Sequence, residues 1–141
     1  MKSNIEILIV DDDPVILKLH EYVLKKFGLP KPSKSFKKAR NCLYYLEQNV
    51  GCNDKLYLIL LDINMPDMNG WQFLDELQNH DFQSICLVAM VTSSISRADK
   101  KRANSYKQVV SYIEKPLTLN HLYQLNDQVQ ERLNCFVTDR A

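Results

Sequence analysis

Leu56-Tyr57-Leu58-Ile59-Leu60-Leu61 is an unbroken apolar run that stops abruptly at a carboxylate, Asp62. Six such residues in a row suit a strand covered on both faces, as in a parallel sheet. The pattern recurs on either side of it. Ile5-Glu6-Ile7-Leu8-Ile9-Val10 ends in Asp11-Asp12-Asp13, Ile85 to Val91 stops at Thr92-Ser93-Ser94, and Val109-Val110-Ser111-Tyr112-Ile113 runs into Glu114-Lys115-Pro116. Ser33 to Phe36 is a weaker fifth candidate.

Helical spacing fills the intervals. Pro14 suits a first helical turn, where its missing N–H is not needed. Val15, Ile16, Leu19, Val23 and Phe27 recur at helical spacing behind it, and Gly28 closes the segment. Pro30 and Pro32 bracket a loop. Ala39, Cys42, Leu43 and Leu46 mark a second helix, and Asn49 to Lys55, with Gly51, Asn53 and Asp54, reads as a turn. The loop Asn64 to Gly70 leads to a helix bearing Trp71, Leu74 and Leu77. Ser94 or Ser96 can cap a polar helix through Asn104, and Thr118 can cap a last one with Leu122, Leu125, Val129 and Leu133 on its apolar stripe.

Strands alternating with helices imply parallel pairing through right-handed crossovers. The expected fold is therefore α/β: a five-stranded parallel, doubly wound, flavodoxin-like sheet in the order 2-1-3-4-5, with helices on both faces. No internal repeat or linker interrupts it, so residues 1–141 read as a single domain.

The bulk composition excludes several classes. With 18 basic and 17 acidic residues the formal charge is +1, which gives no general attraction to nucleic acid or an anionic surface. No apolar run is long enough to cross a bilayer and the first residues have no signal-peptide layout, so a cytoplasmic location is expected. Cys42, Cys52, Cys86 and Cys135 form no C-x-x-C pair and have no histidine at metal-ligand spacing; they read as small buried hydrophobes in a reducing compartment. His20, His80 and His121 are scattered on helices and read as surface or interface residues.

In doubly wound sheets ligands sit beyond the carboxyl ends of the strands, near the switch point between the first and third. That rule gathers Asp11, Asp12, Asp62, Thr92 and Lys115. Three carboxylates at close range repel one another, and one takes up a proton unless a cation sits among them. Hard oxygen donors in a partial cage suit Mg²⁺, with Mn²⁺ possible. A lysine opposite supplies compact positive charge for a phosphoryl group, and a threonine hydroxyl one donor. Such a set suits in-line phosphoryl transfer, with Asp62 on the central strand as the nucleophile. Taken singly the pieces are bland: three successive aspartates also make a turn or helix cap, and Tyr112 on a strand is ordinary packing. The basic run Arg97, Lys100, Lys101 and Arg102 reads either as a solvated face or as a docking patch.

Together, Val10 to Pro14, Leu61 to Gly70, Val91 to Ser93 and Tyr112 to Pro116 resemble the signature set of two-component response-regulator receiver domains of the CheY-like, stand-alone type. The resemblance covers nearly the whole chain. It implies that Asp62 accepts a phosphoryl group from a phosphohistidine on a sensor histidine kinase or a histidine phosphotransfer protein. It also implies that Asp12, Asp62 and the backbone carbonyl of Asn64 hold Mg²⁺, with Asp11 acting through a metal-bound water and Asp13 left as a cap. Thr92 and Lys115 would contact the phosphoryl group, Tyr112 would change rotamer as Thr92 moves, and Asn64 and Ser94 would tune the lifetime of the acyl phosphate. The Lys115–Pro116 bond would be cis. The output surface would be the fourth helix, fifth strand and fifth helix, facing a downstream protein rather than DNA or a membrane. On this reading the chain is no conventional enzyme but a phosphoacceptor that assists its own phosphorylation and dephosphorylation, with no output domain attached.

Two departures are visible. Asn104 to Gln108 stands where the family often has a Gly-Ala turn, and the stretch between the first and third strands is long. The rival readings are a Mg²⁺-dependent phosphatase of the haloacid-dehalogenase type and a phosphorylation-independent adaptor. The first needs an acid/base aspartate two residues after the nucleophile, where this chain has Asn64, whose amide cannot transfer that proton. A flavin carrier on the same fold is disfavoured because Asp11 to Asp13 would repel the cofactor's phosphate.

Overall fold

The computed structural model describes residues 4–29, 32–49 and 55–140, with side chains up to residue 134. Pro30, Gly51, Asn53, Asp54 and the side chains of Cys52 and Cys135 lie outside that description. The elements run β1 (Ile5–Val10), α1 (Pro14–Phe27), β2 (Lys34–Phe36), α2 (Ala39–Asn49), β3 (Leu56–Leu61), α3 (Gly70–Gln78), a 3-10 turn (Asp81–Ile85), β4 (Cys86–Thr92), α4 (Arg97–Asn104), β5 (Val109–Glu114) and α5 (Leu119–Arg140). All strands are parallel, in the order β2-β1-β3-β4-β5. The expected fold and strand order are therefore observed.

Period-two alternation sorts each strand's side chains between two cores. Leu8, Val10, Tyr57, Ile59, Leu61, Val88 and Met90 face α2, α3 and α4, where they meet Cys42, Leu46, Phe73, Leu74 and Ala103. Ile7, Ile9, Leu58, Leu60, Ala89 and Val91 face α1 and α5, meeting Leu17, Leu24, Leu122, Leu125 and Val129. Both faces are covered, which explains why the strands read as continuous apolar runs. Cys42 and Cys86 are buried free thiols, and burial raises both, Cys86 to about 12.

Most helix ends follow the expected chemistry. Asp13 caps α1 by accepting from the Val15 N–H, Pro14 occupies the first turn, and Gly28 ends the helix with φ of 88°. Asn69 and Gln72 form a reciprocal capping box on α3. Ser96, rather than Ser94, caps α4, and Thr118 accepts from the His121 N–H at the start of α5.

Two expectations are corrected. On α1 the buried line is Leu17, His20 and Leu24, whereas Val15 is 72% and Leu19 41% exposed. That helix carries apolar residues around much of its circumference, so the sheet's placement, not spacing alone, selects the inner face. His20 is not a surface residue either: it is 1% exposed, and its Nε2 accepts from the Leu117 N–H at 3.3 Å. An imidazole that neutralises a buried backbone donor can occupy a core position.

Candidate functional site

Register builds the site. Val10 of β1 pairs with Leu61 of β3, and the Asp62 N–H donates to the Val10 carbonyl at 3.0 Å, so the two strands end side by side. Strand order reverses direction here: β2 lies on one side of β1, and β3, β4 and β5 on the other. Asp11 and Asp62 follow directly and are both buried, at 2% and 4% exposure, while Asp12 faces solvent. Carboxylate oxygens of Asp11, Asp12 and Asp62 all lie within 4.8 Å of one another, a donor set able to hold a metal ion.

Lys115 arrives from the end of β5. Its backbone N–H donates to the Thr92 carbonyl at 2.9 Å, extending the pairing with β4. Its Nζ lies 2.6 Å from Asp11 Oδ2 and 3.3 Å from Asp62 Oδ2. The Lys115–Pro116 peptide is cis, as the resemblance implied.

The charges act on one another. Burial raises the Asp62 carboxyl above the usual aspartate range, the Lys115 charge opposes this, and the Asp11 charge adds to it. The backbone N–H of Ile63 also donates to Asp62 Oδ1 at 2.8 Å and favours the ionised form. For Lys115, burial disfavours the ammonium, but the hydrogen bond to Asp11 and the charges of Asp62 and Asp11 outweigh it and leave its pKa raised. The cluster thus holds more negative charge than one ammonium neutralises, which is the condition under which a divalent cation fits.

The loop after Asp62 is held tightly. The Gly70 N–H donates to the Ile63 carbonyl at 2.8 Å, and a β-carbon at Gly70 would stand 2.6 Å from the Asp62 carbonyl oxygen. Only glycine allows α3 to begin this close to the strand end. Asp67 turns the loop with φ of 66°. Asn64 is exposed within it.

On the other side Thr92 is fully buried at the end of β4, and its Oγ1 accepts from the Ser94 N–H at 3.2 Å. Ser94 donates from Oγ to Asp99 Oδ2 at 2.7 Å, and its carbonyl accepts from the Tyr112 hydroxyl at 3.0 Å. Thr92, Ser94, α4 and Tyr112 are therefore joined by one short chain of bonds. The basic run is exposed, and two of its members lie over rings: the Arg102 guanidinium lies 4.5 Å from the Trp71 ring centroid and Lys100 Nζ lies 5.9 Å from that of Tyr112. Trp71 also stacks on Tyr106 at 6.1 Å.

The structure gathers Asp11, Asp12, Asp62 and Lys115 into one cluster, and links Thr92, Ser94 and Tyr112 beside it. Sequence reasoning missed Asp99 as the partner of Ser94 and His20 as an acceptor. His20 falls three residues after Leu17 and four before Leu24, so its spacing allowed a buried position, but nothing local marked the Leu117 N–H as its partner.

A parallel sheet wound in this order, with an acidic triad at its switch point, has the CheY-like α/β architecture. Residues 7–127 match the family described as response regulator receiver domain, and the chain belongs to that family. It is 29% identical over 124 residues to the two-component response regulator ARR22 of Arabidopsis thaliana, covering 88% of this chain and 82% of that one. A two-component response regulator from Cytophaga hutchinsonii superposes with a TM-score of 0.82 at 25% identity, over 94% of this chain and 99% of the other. The peroxide stress-activated histidine kinase mak1 of Schizosaccharomyces pombe (strain 972 / ATCC 24843) is 27% identical over 126 residues, which are 86% of this chain but 7% of that protein. Membership implies a histidine kinase as the class of partner. Among the described residues, no helix is long and apolar enough to cross a membrane.

Proposed function

We propose that this receiver domain accepts a phosphoryl group on Asp62 from a phosphohistidine and uses the resulting charge to rearrange a protein-binding surface. The carrying observation is the placement of Lys115 Nζ between Asp11 and Asp62, at 2.6 and 3.3 Å, beside a carboxylate cluster able to hold a metal ion. Asp62 Oδ attacks phosphorus as the nitrogen–phosphorus bond of the donor breaks; the imidazole leaves with the electron pair and takes a proton from solvent. Asp11, Asp12 and Asp62, with the backbone carbonyl of Asn64, are the groups that would hold Mg²⁺, which when bound neutralises charge on the phosphoryl oxygens.

The chain's own groups then adjust. Lys115 exchanges its contact with Asp62 for one with the phosphoryl oxygens, a charge-assisted bond available only in the modified state. Thr92 Oγ1, now an acceptor from the Ser94 N–H, turns its hydroxyl to donate to the phosphoryl group. The turn moves Oγ1 relative to the Ser94 N–H, Ser94 shifts with it, and its ties to Asp99 and Tyr112 carry the change to α4 and β5. The size of the response is set by how much better these contacts are in one state than in the other. Asn64 and Ser94 flank the approach to Asp62 and tune the persistence of the acyl phosphate. The surface formed by α4, β5 and α5 then meets a downstream protein.

Incubation with acetyl phosphate and Mg²⁺ is expected to add one phosphoryl group by intact-mass measurement, and Asp62→Asn to abolish it. Undiminished Mg²⁺-dependent labelling of Asp62→Asn overturns the assignment.

A further inference from the structure

The backbone donors following β5 have an uneven set of partners. The Lys115 N–H belongs to the sheet, donating to Thr92, and Pro116 has none to offer. The next two donors leave the sheet and end on histidines. The Leu117 N–H donates to His20 Nε2 at 3.3 Å, and the Thr118 N–H to His121 Nδ1 at 3.1 Å. His121 is local, three residues along, and its own N–H donates back to Thr118 Oγ1 in a reciprocal cap of α5. His20 comes from α1 and is 1% exposed. Leu117 is itself 2% exposed, so bulk water does not reach that donor and it needs a partner within the protein.

We infer that His20 is a positioning residue for Lys115: as a neutral acceptor on α1 it fixes the Leu117 backbone, and through Pro116 it fixes where the ammonium stands between Asp11 and Asp62. The reading rests on Asp62 as the phosphoacceptor. Pro116 has a locked φ, so displacement at Leu117 is passed to Lys115 rather than absorbed. The charged groups that act on the imidazole are Asp11, at the end of β1, and Lys115 itself, so it belongs to the same electrostatic unit without touching the phosphoryl group. Nε2 can accept only if the proton resides on Nδ1.

Two variants separate this role from core filling. His20→Gln places an amide oxygen near the Nε2 position and keeps an acceptor. His20→Leu fills the space with apolar volume and offers none. If the ring merely packs, leucine is the better substitute; if it accepts, glutamine is. The rate of acetyl-phosphate labelling with Mg²⁺ is expected to fall about tenfold in His20→Leu and to stay within about twofold of the parent in His20→Gln. Parent-like labelling of the leucine variant, or equal loss in both variants while both remain folded, overturns the inference.

Imidazole ¹⁵N shifts of the unmodified protein provide a check that needs neither variant to fold and no phosphorylation. A proton on Nδ1 with bare Nε2 at His20 supports the inference, and a proton on Nε2 overturns it. Failure of the parent to label, or labelling retained in Asp62→Asn, counts against the phosphoacceptor reading and leaves the ¹⁵N result to decide the role of His20.

Discussion

Lys115 is one positive charge set against three carboxylates, and its removal has a definite sign. In Lys115→Met, Asp11 and Asp62 lose the ammonium that now lies 2.6 and 3.3 Å from them. Asp62, already raised by burial, should rise further, because the opposing charge is gone while that of Asp11 remains. The same change removes a cation that competes with Mg²⁺ for these oxygens, so the variant should bind Mg²⁺ several-fold more tightly at neutral pH. Carboxyl ¹³C shifts report the first effect and titration calorimetry the second. Weaker Mg²⁺ binding would show that the lysine orders the carboxylates more than it competes for them.

His20 gives a pH dependence. Burial holds its imidazole below 6.5, with Asp11 raising it and Lys115 lowering it by smaller amounts. Between that lowered value and about 6.5 the unfolded chain binds more protons than the folded one. The stabilisation is fully present above that window and is lost as pH falls through it. The raised carboxyl of Asp62 acts with the opposite sign, since the folded state then holds the extra proton, so the comparison must be between variants. Subtracting the urea-denaturation stability of His20→Gln from that of the parent, from about pH 7.5 to 5, should leave a difference that shrinks on acidification. A flat difference would show that the imidazole does not protonate on unfolding.

At the scale of elements, strands were easier to read than helices. The runs at β1, β3, β4 and β5 are continuous because both sheet faces are covered, and each ends in a polar group, so strand and site were legible together. Spacing on α1 was not decisive: Val15 and Leu19 are as apolar as Leu17 and Leu24, and only the packing of α5 and the sheet separates them. The role of His20 depends on a partner 97 residues away, which no local pattern encodes. The 3-10 turn at Asp81–Ile85 buries none of its residues and so leaves no periodic signal. The start of α3 is the most constrained joint, since Gly70 meets the backbone of Asp62 and Ile63. Gly70→Ala would force backbone against backbone, and the expected cost is about 2–3 kcal/mol, with slower labelling of Asp62. Asn69→Ala on the same helix removes only a cap, for about 1 kcal/mol and little change in labelling. Equilibrium denaturation and the labelling rate together distinguish the two.

For the molecule as a whole, the strand order places two buried carboxylates at the switch point, and their mutual repulsion is a standing cost of the fold. A ligand that binds the folded cluster and not the dispersed aspartates of the unfolded chain must stabilise the whole domain. Mg²⁺ at a hundredfold excess over its dissociation constant should add about 2.7 kcal/mol. In a domain of this size that corresponds to an increase in Tm of roughly 8 °C. Asp12→Asn is the informative control: Asp12 faces solvent, so the variant keeps the core but loses one of the three carboxylates. The parent's Tm should climb with the logarithm of Mg²⁺ concentration while that of Asp12→Asn lags, and at a pH low enough to protonate the carboxylates the two curves should merge. The same Mg²⁺ increment in parent and variant would mean that the ion binds elsewhere, and Asp62 would then lack the charge compensation on which the proposed phosphorylation depends.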